Sequence, residues 1–261
     1  MREDSIKIEE ERIGGIHRIS DYPQFHERHR VFPAVFKNRN HKTVIDVGAG
    51  IGVVGKRIMD YSDVEVLCND ISPTCLKTME NEGIKTVSFD VDDNEKTFPF
   101  KDGHFDAVIS LASIEHVIHI DHYVKEIRRI LNDNGFLYIS APNYTGLLYL
   151  LPFLISGRTF HNPLSKHDKY EFYAHVRYFT YRTLVEYISS FGFYPDTVYL
   201  PLPEYGSRYK ALKEKSKIKA IIFRSVMHFI YTFFGPRWAS EPVICFQKSR
   251  VEKKKIRKVI L

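Results

Sequence analysis

The chain has 261 residues, of which 44% are hydrophobic and 27% are charged. This length suffices for one α/β domain with an added elaboration, and the composition excludes a disordered chain. The longest mostly apolar run, GLLYLLPFLI at 146–155, is shorter than the roughly 20 residues that span a bilayer, so we expect no membrane-spanning helix. The amino-terminal stretch is charged throughout and does not have the pattern of a secretory signal.

The formal net charge of +6 is concentrated at the carboxyl end of the chain. Residues 248–261 hold seven basic residues and one acidic residue, so the preceding residues are neutral in sum. A second run, 207–219, holds six basic residues and one acidic residue. We interpret both runs as solvated surface, with a frayed terminus. A broad basic face that would follow phosphates is not indicated, so nucleic acid is not an expected partner.

The three cysteines, Cys68, Cys75 and Cys245, have neither the spacing of a metal site nor that of a disulfide framework. We expect them to be reduced thiols in a cytoplasmic protein. No metal is expected.

Residues 1–41 form a lead-in, helical or irregular, with Phe25, Phe32 and Phe36 on one helical face that Pro33 interrupts. Strands and helices then alternate. Seven strands are predicted, at 43–48, 63–70, 85–90, 105–112, 135–142, 193–200 and 241–249. Helices are predicted between them at 52–62, 72–83, 120–135 and 181–192, with Ser72 and Thr180 as caps. The alternation predicts a doubly wound, mostly parallel seven-stranded α/β sheet with helices on both faces.

Two segments interrupt this alternation within the predicted domain at 42–248. The first, 143–179, is rich in aromatic residues and histidines, and the second, 200–238, contains an apolar helix at 218–234. Both follow the carboxyl ends of predicted strands, where open α/β sheets bind ligands. We expect them to form a cap over the site, and residues 249–261 to form a basic tail.

A glycine-rich turn follows the first strand and carries three glycines at alternate positions, Gly48, Gly50 and Gly52. This spacing fits neither the dinucleotide fingerprint nor a P-loop. The turn lets the backbone approach a ligand closely, because glycine has no Cβ. A carboxylate, Asp46, precedes the turn; it would repel a diphosphate and suits a ligand that carries an ammonium group, such as S-adenosylmethionine.

Acidic residues also end the next two strands. Asp70 lies 20 residues after Gly50, where an acid commonly accepts hydrogen bonds from a ribose diol. Asp90 ends the third strand, in a position to meet an adenine amino group.

These blocks together resemble the class I S-adenosylmethionine-dependent methyltransferases, specifically the type 11 group. The resemblance rests on VIDVGAGIG, CNDIS, FDVDD, FPFKDGHFDAVISLASIEHV, IRRILNDNGFLYISAPN and HVRYFTYRTLVEYISSFGF, in order, and covers residues 40 to 200 and the last strand. It implies S-adenosylmethionine as cofactor and a set of cofactor-binding residues. These residues are Asp46, Gly48, Gly50, Gly52, Asp70, Ile71, Asp90, Val91, Ser110 and Leu111.

The resemblance also indicates His116, in SIEHV, as a candidate general base, because it follows the fourth strand near the expected methyl group. The alternative is a packed, structural histidine. Glu115 is expected to orient a neighbour or to be solvated. Residues of the first insertion could touch the substrate or pack in the lid: His161, His167, Tyr170, Tyr173 and His175. Arg177 could anchor an acidic group or pair with a carboxylate.

The methyl acceptor is the least determined feature. The helix at 218–234 places Ile218, Ile222, Val226, Phe229 and Phe233 on one face between basic runs, which fits a helix on an anionic membrane or one packed as a cap. We expect methyl transfer to oxygen on a small molecule: a sugar, a lipid-linked glycan or a quinone-like compound. RNA or protein methylation, and a non-catalytic partner subunit, are the alternatives.

Overall fold

The computed structural model describes residues 6–7, 10–11, 13–157, 161–162, 164, 169–249 and 255–261. Within these ranges, eight strands form one sheet in the order β3-β2-β1-β4-β5-β7-β6-β8. Their bounds are β1 Thr43–Val47, β2 Glu65–Asn69, β3 Lys85–Val87, β4 Phe105–Leu111, β5 Leu131–Ser140, β6 Tyr194–Leu200, β7 Val243–Gln247 and β8 Arg257–Ile260. Strands β1 to β5 pair in parallel, and β7 lies antiparallel between β5 and β6.

The helices connect these strands. They are α1 Val53–Tyr61, α2 Pro73–Asn81, α3 Ile120–Ile130, α4 Leu147–Ser156, α5 Lys169–Ala174, α6 Tyr181–Ser190, α7 Ser207–Lys215 and α8 Lys217–Phe233. Short helical turns precede the sheet, at Ile19–Asp21, Glu27–Arg30, Val31–Ala34 and Val35–Asn38. No helix in the part of the chain that the structure describes combines the length and the apolar character that a membrane crossing requires.

Two predicted caps are confirmed. The Ser72 side chain accepts a hydrogen bond from Cys75 N at the start of α2, where Pro73 occupies the first helical position. The Thr180 side chain does the same for Thr183 N at the start of α6. These residues satisfy amide groups that the first helical turn leaves unpaired.

The core has two layers, one on each face of the sheet. In β4, Val108 belongs to one layer while Ala107 and Ile109 belong to the other, as the two-residue period of a strand requires. Helices α3, α6 and α8 pack on the Val108 side, and α1, α2 and the lead-in pack on the opposite side. The predicted α/β sheet with helices on both faces is therefore confirmed.

The end of α3 differs from the prediction. We expected the helix to run to 135, but it ends at Ile130, and the extended Leu131 already pairs with Phe105 in β4. Ile130 and Leu131 are both fully buried. Pairing and burial at the edge of the core therefore end the helix before the turn at Asn134-Gly135, which lies in an irregular part of β5.

The carboxyl end also differs, since residues 257–260 were expected to fray and instead form β8, an eighth strand parallel to β6. The Lys258 ammonium group donates hydrogen bonds to the carbonyl oxygens of Tyr231 and Thr232 in the last turn of α8. A cation at this end of a helix also interacts favourably with the helix dipole. Part of the basic tail thus stabilises the end of α8.

Residues 19–38 of the lead-in form a series of short helical turns rather than one amphipathic helix. Phe32 has extended backbone angles, and its side chain is fully buried on the α1 side of the sheet. The predicted common helical face is therefore wrong, because the chain bends at Pro33. The burial of Phe32 joins the lead-in to the core.

Candidate active site

A cavity of about 1180 Å³ lies beyond the carboxyl ends of β1, β2 and β4. Open parallel sheets bind ligands at this edge, where the connections on the two sides diverge. The cavity exceeds the 300–1,000 Å³ or so of a typical single-ligand pocket, so it has room for two ligands. Of the predicted cofactor-binding residues and the candidate base, these line it: Gly48, Gly50, Asp70, Ile71, Asp90, Val91 and His116. Five further candidates named from the sequence line it as well: Glu115, His161, Tyr170, Tyr173 and His175.

The glycine turn forms one wall of the cavity. Gly48 and Gly50 have positive φ angles of 71° and 58°, which side chains rarely adopt. A Cβ on Gly48 would lie 2.6 Å from the Ser113 hydroxyl, whereas a Cβ on Gly50 would have no neighbour within 4 Å among the described residues. Gly48 thus permits close packing, and Gly50 leaves open space beside the cavity.

Asp70 holds the turn in place. Its carboxylate accepts hydrogen bonds from Gly50 N at 2.8 Å and from Ser72 N at 2.9 Å, one on each oxygen. Each carboxylate oxygen has further lone pairs. Asp70 can therefore fix the loop and still accept hydrogen bonds from a ribose diol.

Four predicted cofactor residues do not line the cavity. Gly52 is the amino-terminal cap of α1, where a Cβ would lie 2.5 Å from Met79, so its role here is packing. The Ser110 hydroxyl is buried and lies 2.8 Å from the Tyr123 hydroxyl. Leu111 and Asp46 are also buried. Burial raises the pKa of Asp46 to about 7, and the nearby Asp70 acts in the same direction.

His116 lies in a short helical turn after β4 and also lines the cavity. Its Nδ1 is 3.1 Å from the carbonyl oxygen of Ala174. Since a carbonyl only accepts, Nδ1 carries the proton and Nε2 carries the lone pair of the neutral ring. The His175 ring lies beside it, with the ring centroids 4.7 Å apart.

His175 and His161 converge on one tyrosine. The Tyr144 hydroxyl is 3.1 Å from His175 Nδ1 and 3.1 Å from His161 Nε2. Burial lowers the pKa of His175 to about 3, with His116 and His161 acting in the same direction, so this ring is neutral. The aromatic and histidine-rich insertion therefore contributes to the cavity, as predicted; His167 lies outside the described residues.

Glu115 is not solvated. It is only 1% exposed, and neither carboxylate oxygen has a hydrogen-bond partner among the described residues. Burial raises its pKa to about 8. A buried carboxyl without partners is energetically costly and commonly indicates a functional role.

Arg177 pairs with no carboxylate among the described residues, and anchoring of an acidic group stays a prediction. It donates hydrogen bonds to the carbonyl oxygens of Val176 and Ile118, at 3.1 Å and 2.8 Å. Its amide and that of Val176 donate to the carbonyl oxygen of Glu115. This segment therefore positions the Glu115–His116 turn.

Sequence reasoning missed an ion pair in the cavity wall. Arg28 and Glu241 pair closely, and His26 lies 3.6 Å from the same carboxylate. The attraction holds the pKa of Glu241 well below its usual range despite burial. The paired residues are 213 positions apart, and neither lies in a recognisable motif, so no sequence signal could have identified them.

The apolar helices of the two insertions form the outer wall of the cavity, but the apolar face predicted for α8 does not line it. Phe223, Met227 and Tyr231 of α8 line the cavity. The predicted face, by contrast, points to solvent. Its residues are 48–72% exposed: Ile218, Ile222, Val226, Phe229 and Phe233. Helix α4 similarly lines the cavity with Leu148, Tyr149 and Pro152 while Leu154 and Ile155 are exposed.

Comparison with known proteins agrees with this geometry. A family model described as a methyltransferase domain, of the type 11 group, matches residues 45–139. An uncharacterized protein of Methanocaldococcus jannaschii is 32% identical over 133 residues, which cover 51% of this chain and 55% of the relative. The ubiquinone/menaquinone biosynthesis C-methyltransferase UbiE of Bartonella henselae is 33% identical over 118 residues, covering 42% and 44%.

The fold extends beyond the matched segment. The crystal structure of an S-adenosylmethionine-dependent methyltransferase from Thermotoga maritima superposes with a TM-score of 0.57 at 15% identity, covering 86% of this chain and 90% of the other. The chain spans about half the length of the two curated relatives described above. The family match identifies residues 45–139 as a methyltransferase domain of the type 11 group, and the superposition shows that the fold of this methyltransferase extends over most of the chain.

Proposed function

We propose that this protein transfers a methyl group from S-adenosylmethionine to a small molecule bound in the same cavity. The observation that carries the proposal is that Gly50, Asp70 and His116 line one and the same cavity. The family match and the size of the cavity support it, since both a methyl donor and an acceptor must fit.

The cofactor would lie against the ends of β1, β2 and β4. Gly50 provides space beside its methionine portion, Gly48 lets the turn pack against Ser113, and Asp70 accepts from the ribose hydroxyls. Ile71, Asp90 and Val91 surround the adenine. Four predicted cofactor residues are buried behind the cavity wall: Asp46, Gly52, Ser110 and Leu111. We propose that Asp46 contributes its charge near the ammonium group of the cofactor and that the other three shape the strand ends.

S-adenosylmethionine supplies an electrophilic methyl group on a sulfonium. The chain's own task is to align the acceptor atom, exclude water and remove a proton when the acceptor is a hydroxyl. We propose His116 for this last role. Its Nδ1 is held by the Ala174 carbonyl, so that Nε2 can receive the proton.

The proposed acceptor is an oxygen on a partly apolar molecule: a sugar, a lipid-linked glycan or a quinone-like compound. The wall built by Phe223, Met227 and Tyr231 supports an apolar portion, and the hydrogen-bonding rings of His116 and His175 support a polar one. The UbiE relative, named for quinone biosynthesis, is consistent with the quinone-like class.

We also propose that the exposed face of α8 rests on an anionic membrane. The same helix lines the cavity with its opposite side, so an amphiphilic acceptor could pass directly from the bilayer. The preceding helix α7 adds Arg208, Lys210, Lys213 and Lys215, which would attract anionic lipid.

The alternative of RNA or protein methylation depends on a basic tail that holds the substrate. In the described part of that tail, Lys258 is engaged with the end of α8, and 257–260 form β8. This arrangement favours the small-molecule proposal. Deleting 249–261 should therefore lower stability, whereas an RNA enzyme should lose salt-sensitive RNA affinity.

Two measurements test the function. Calorimetry of the full chain with S-adenosylmethionine should show saturable binding; no heat at millimolar ligand would refute the cofactor. Labelled cofactor incubated with a lysate should then place label in a lipid or glycan fraction, and label confined to RNA or protein would refute the small-molecule acceptor.

A pair of variants tests the base. His116→Ala should lower turnover on a hydroxyl acceptor by about 100-fold or more while leaving cofactor affinity unchanged. The matched control is His122→Ala, because His122 is exposed and contacts the Lys96 carbonyl outside the cavity. Equal turnover of both variants would remove His116 as the base.

Vesicle flotation tests the membrane surface. The double variant Phe229→Glu/Phe233→Glu should bind less to vesicles of phosphatidylcholine with phosphatidylserine, and wild type should bind less when phosphatidylserine is omitted. Because both rings are exposed, stability should change by less than about 0.5 kcal/mol. Undiminished flotation of the variant would contradict the proposed surface.

A further inference from the structure

Three residues that could bind a metal meet in the wall of the cavity. Glu115, His116 and His175 each place one ligand atom so that all three atoms lie within 4.8 Å of one another. All three residues line the cavity. They come from two segments 59 positions apart, so no compact sequence motif contains all three. From the sequence we expected no metal.

The carboxylate is the most informative member. Glu115 is almost fully buried, yet neither oxygen has a hydrogen-bond partner within the described ranges. A buried carboxylate normally has such a partner, because leaving it unpaired costs several kcal/mol or forces it to take up a proton. A bound cation would supply the missing partner.

The two segments are fixed to each other through their backbones. Val176 N and Arg177 N donate to the Glu115 carbonyl oxygen, at 2.9 Å and 3.2 Å. In return, His116 Nδ1 donates to the Ala174 carbonyl oxygen. The distance between the Glu115–His116 turn and His175 is therefore set by hydrogen bonds on both sides.

These hydrogen bonds also orient the rings. Donation from Nδ1 to a carbonyl leaves the lone pair of His116 on Nε2, which is the arrangement typical of a histidine that binds a metal. The Tyr144 hydroxyl contacts His175 Nδ1. In this ring, too, Nε2 is therefore the nitrogen that would bind the metal. Each histidine thus has the outer hydrogen bond that metal sites commonly show.

We propose that Glu115, His116 and His175 bind a divalent transition-metal ion. Two imidazoles and one carboxylate suit ions such as Mn²⁺, Fe²⁺, Co²⁺ or Zn²⁺ better than Mg²⁺, which prefers oxygen ligands. Three protein ligands leave coordination positions for an acceptor oxygen.

This proposal rests on the proposed function, and it changes the role of His116 there. A metal-bound hydroxyl loses its proton far more readily than a free one, so the O–H proton can leave to water. His116 would then hold the ion and would not itself accept the proton. The ion would also select acceptors with an oxygen able to bind it.

Binding of Mn²⁺ alone provides the test. The full-length chain, freed of metal with EDTA and dialysed, is titrated with MnCl₂ while electron paramagnetic resonance records free Mn²⁺. We expect one saturable site per chain in wild type and in the control His122→Asn. Glu115→Gln and His175→Asn should each weaken binding by about 100-fold, and MgCl₂ should compete poorly.

Calorimetry with S-adenosylmethionine shows whether the variants remain folded. The proposal is overturned if wild type binds no Mn²⁺ saturably, or if both ligand variants bind it as wild type does while binding the cofactor normally. Failure of the function is a separate result: a chain that binds Mn²⁺ but not S-adenosylmethionine would refute the proposed function and retain the metal site.

Discussion

Replacing Asp46 by asparagine should raise stability and lower cofactor affinity at neutral pH. Asp46 is 3% exposed, and burial raises its pKa to about 7 from an ordinary value near 4. The folded state therefore favours the protonated form. The contribution of the protonated Asp46 carboxyl to stability is fully present below about pH 4 and is lost as the pH rises through about 7.

The size of the effect follows from this shift. A shift of one pKa unit corresponds to about 1.4 kcal/mol, so between pH 5 and pH 7.5 the Asp46 charge should cost the folded state on the order of 2 kcal/mol. The Asp46→Asn variant does not pay this cost. Its advantage over wild type in the free energy of unfolding should therefore grow with pH across that interval.

Urea unfolding monitored by circular dichroism at several pH values measures the difference between the two proteins. Titration of other buried carboxyls cancels in this difference, because it occurs in both. Asp60→Asn is the control, since Asp60 lies on the surface of α1 beside Lys56, and it should show no such trend. A difference between Asp46→Asn and wild type that is constant with pH would refute the reasoning.

Calorimetry on the same proteins tests the second part of the prediction, the loss of cofactor affinity. If Asp46 faces the ammonium group of the cofactor, loss of its charge should weaken binding of S-adenosylmethionine by about tenfold or more. A variant that gains stability and keeps full affinity would show that Asp46 is a buried strand-end carboxyl without a role in binding.

The remaining predictions concern the turn, the ribose and the tail. Gly48→Ala should lower stability by about 2–3 kcal/mol and weaken cofactor binding, whereas Gly50→Ala should lower stability by only about 1 kcal/mol. Both glycines have positive φ, but only a Cβ at Gly48 would meet a neighbour, at 2.6 Å. Equal losses of stability in denaturant unfolding would contradict this. Asp70→Asn should weaken cofactor binding by about 10- to 100-fold in calorimetry, and undiminished affinity would exclude the ribose contact. Lys258→Ala should lower stability by about 1 kcal/mol in the same unfolding assay, and no loss would exclude its role at the end of α8.

Much of the fold followed from local sequence features. The alternation of strands and helices predicted the sheet, and Ser72 and Thr180 predicted the starts of two helices, because capping is decided within one turn of chain. The same applies to the part of the cavity wall that the glycine turn forms. Gly50 and Asp70 lie at the ends of adjacent parallel strands, and parallel pairing brings such ends together.

Local features were insufficient where packing competed with them. The Asn134-Gly135 turn predicted a longer α3, but pairing of Leu131 with β4 ended the helix earlier. For α8, the apolar pattern correctly predicted a helix and could not decide which face is buried. Hydrophobic periodicity identifies an apolar stripe, whereas burial depends on what lies opposite it.

The sequence by itself therefore determined the class of fold, the glycine turn and the strand-end acids, since each depends on spacing along a few consecutive elements. Tertiary structure alone brought Glu115 and His116 to His175, paired Arg28 with Glu241, and added β8 beside β6. The physical reason is that these contacts join residues far apart in the chain. Their partners are selected by the packing of whole helices and strands, which no local pattern encodes.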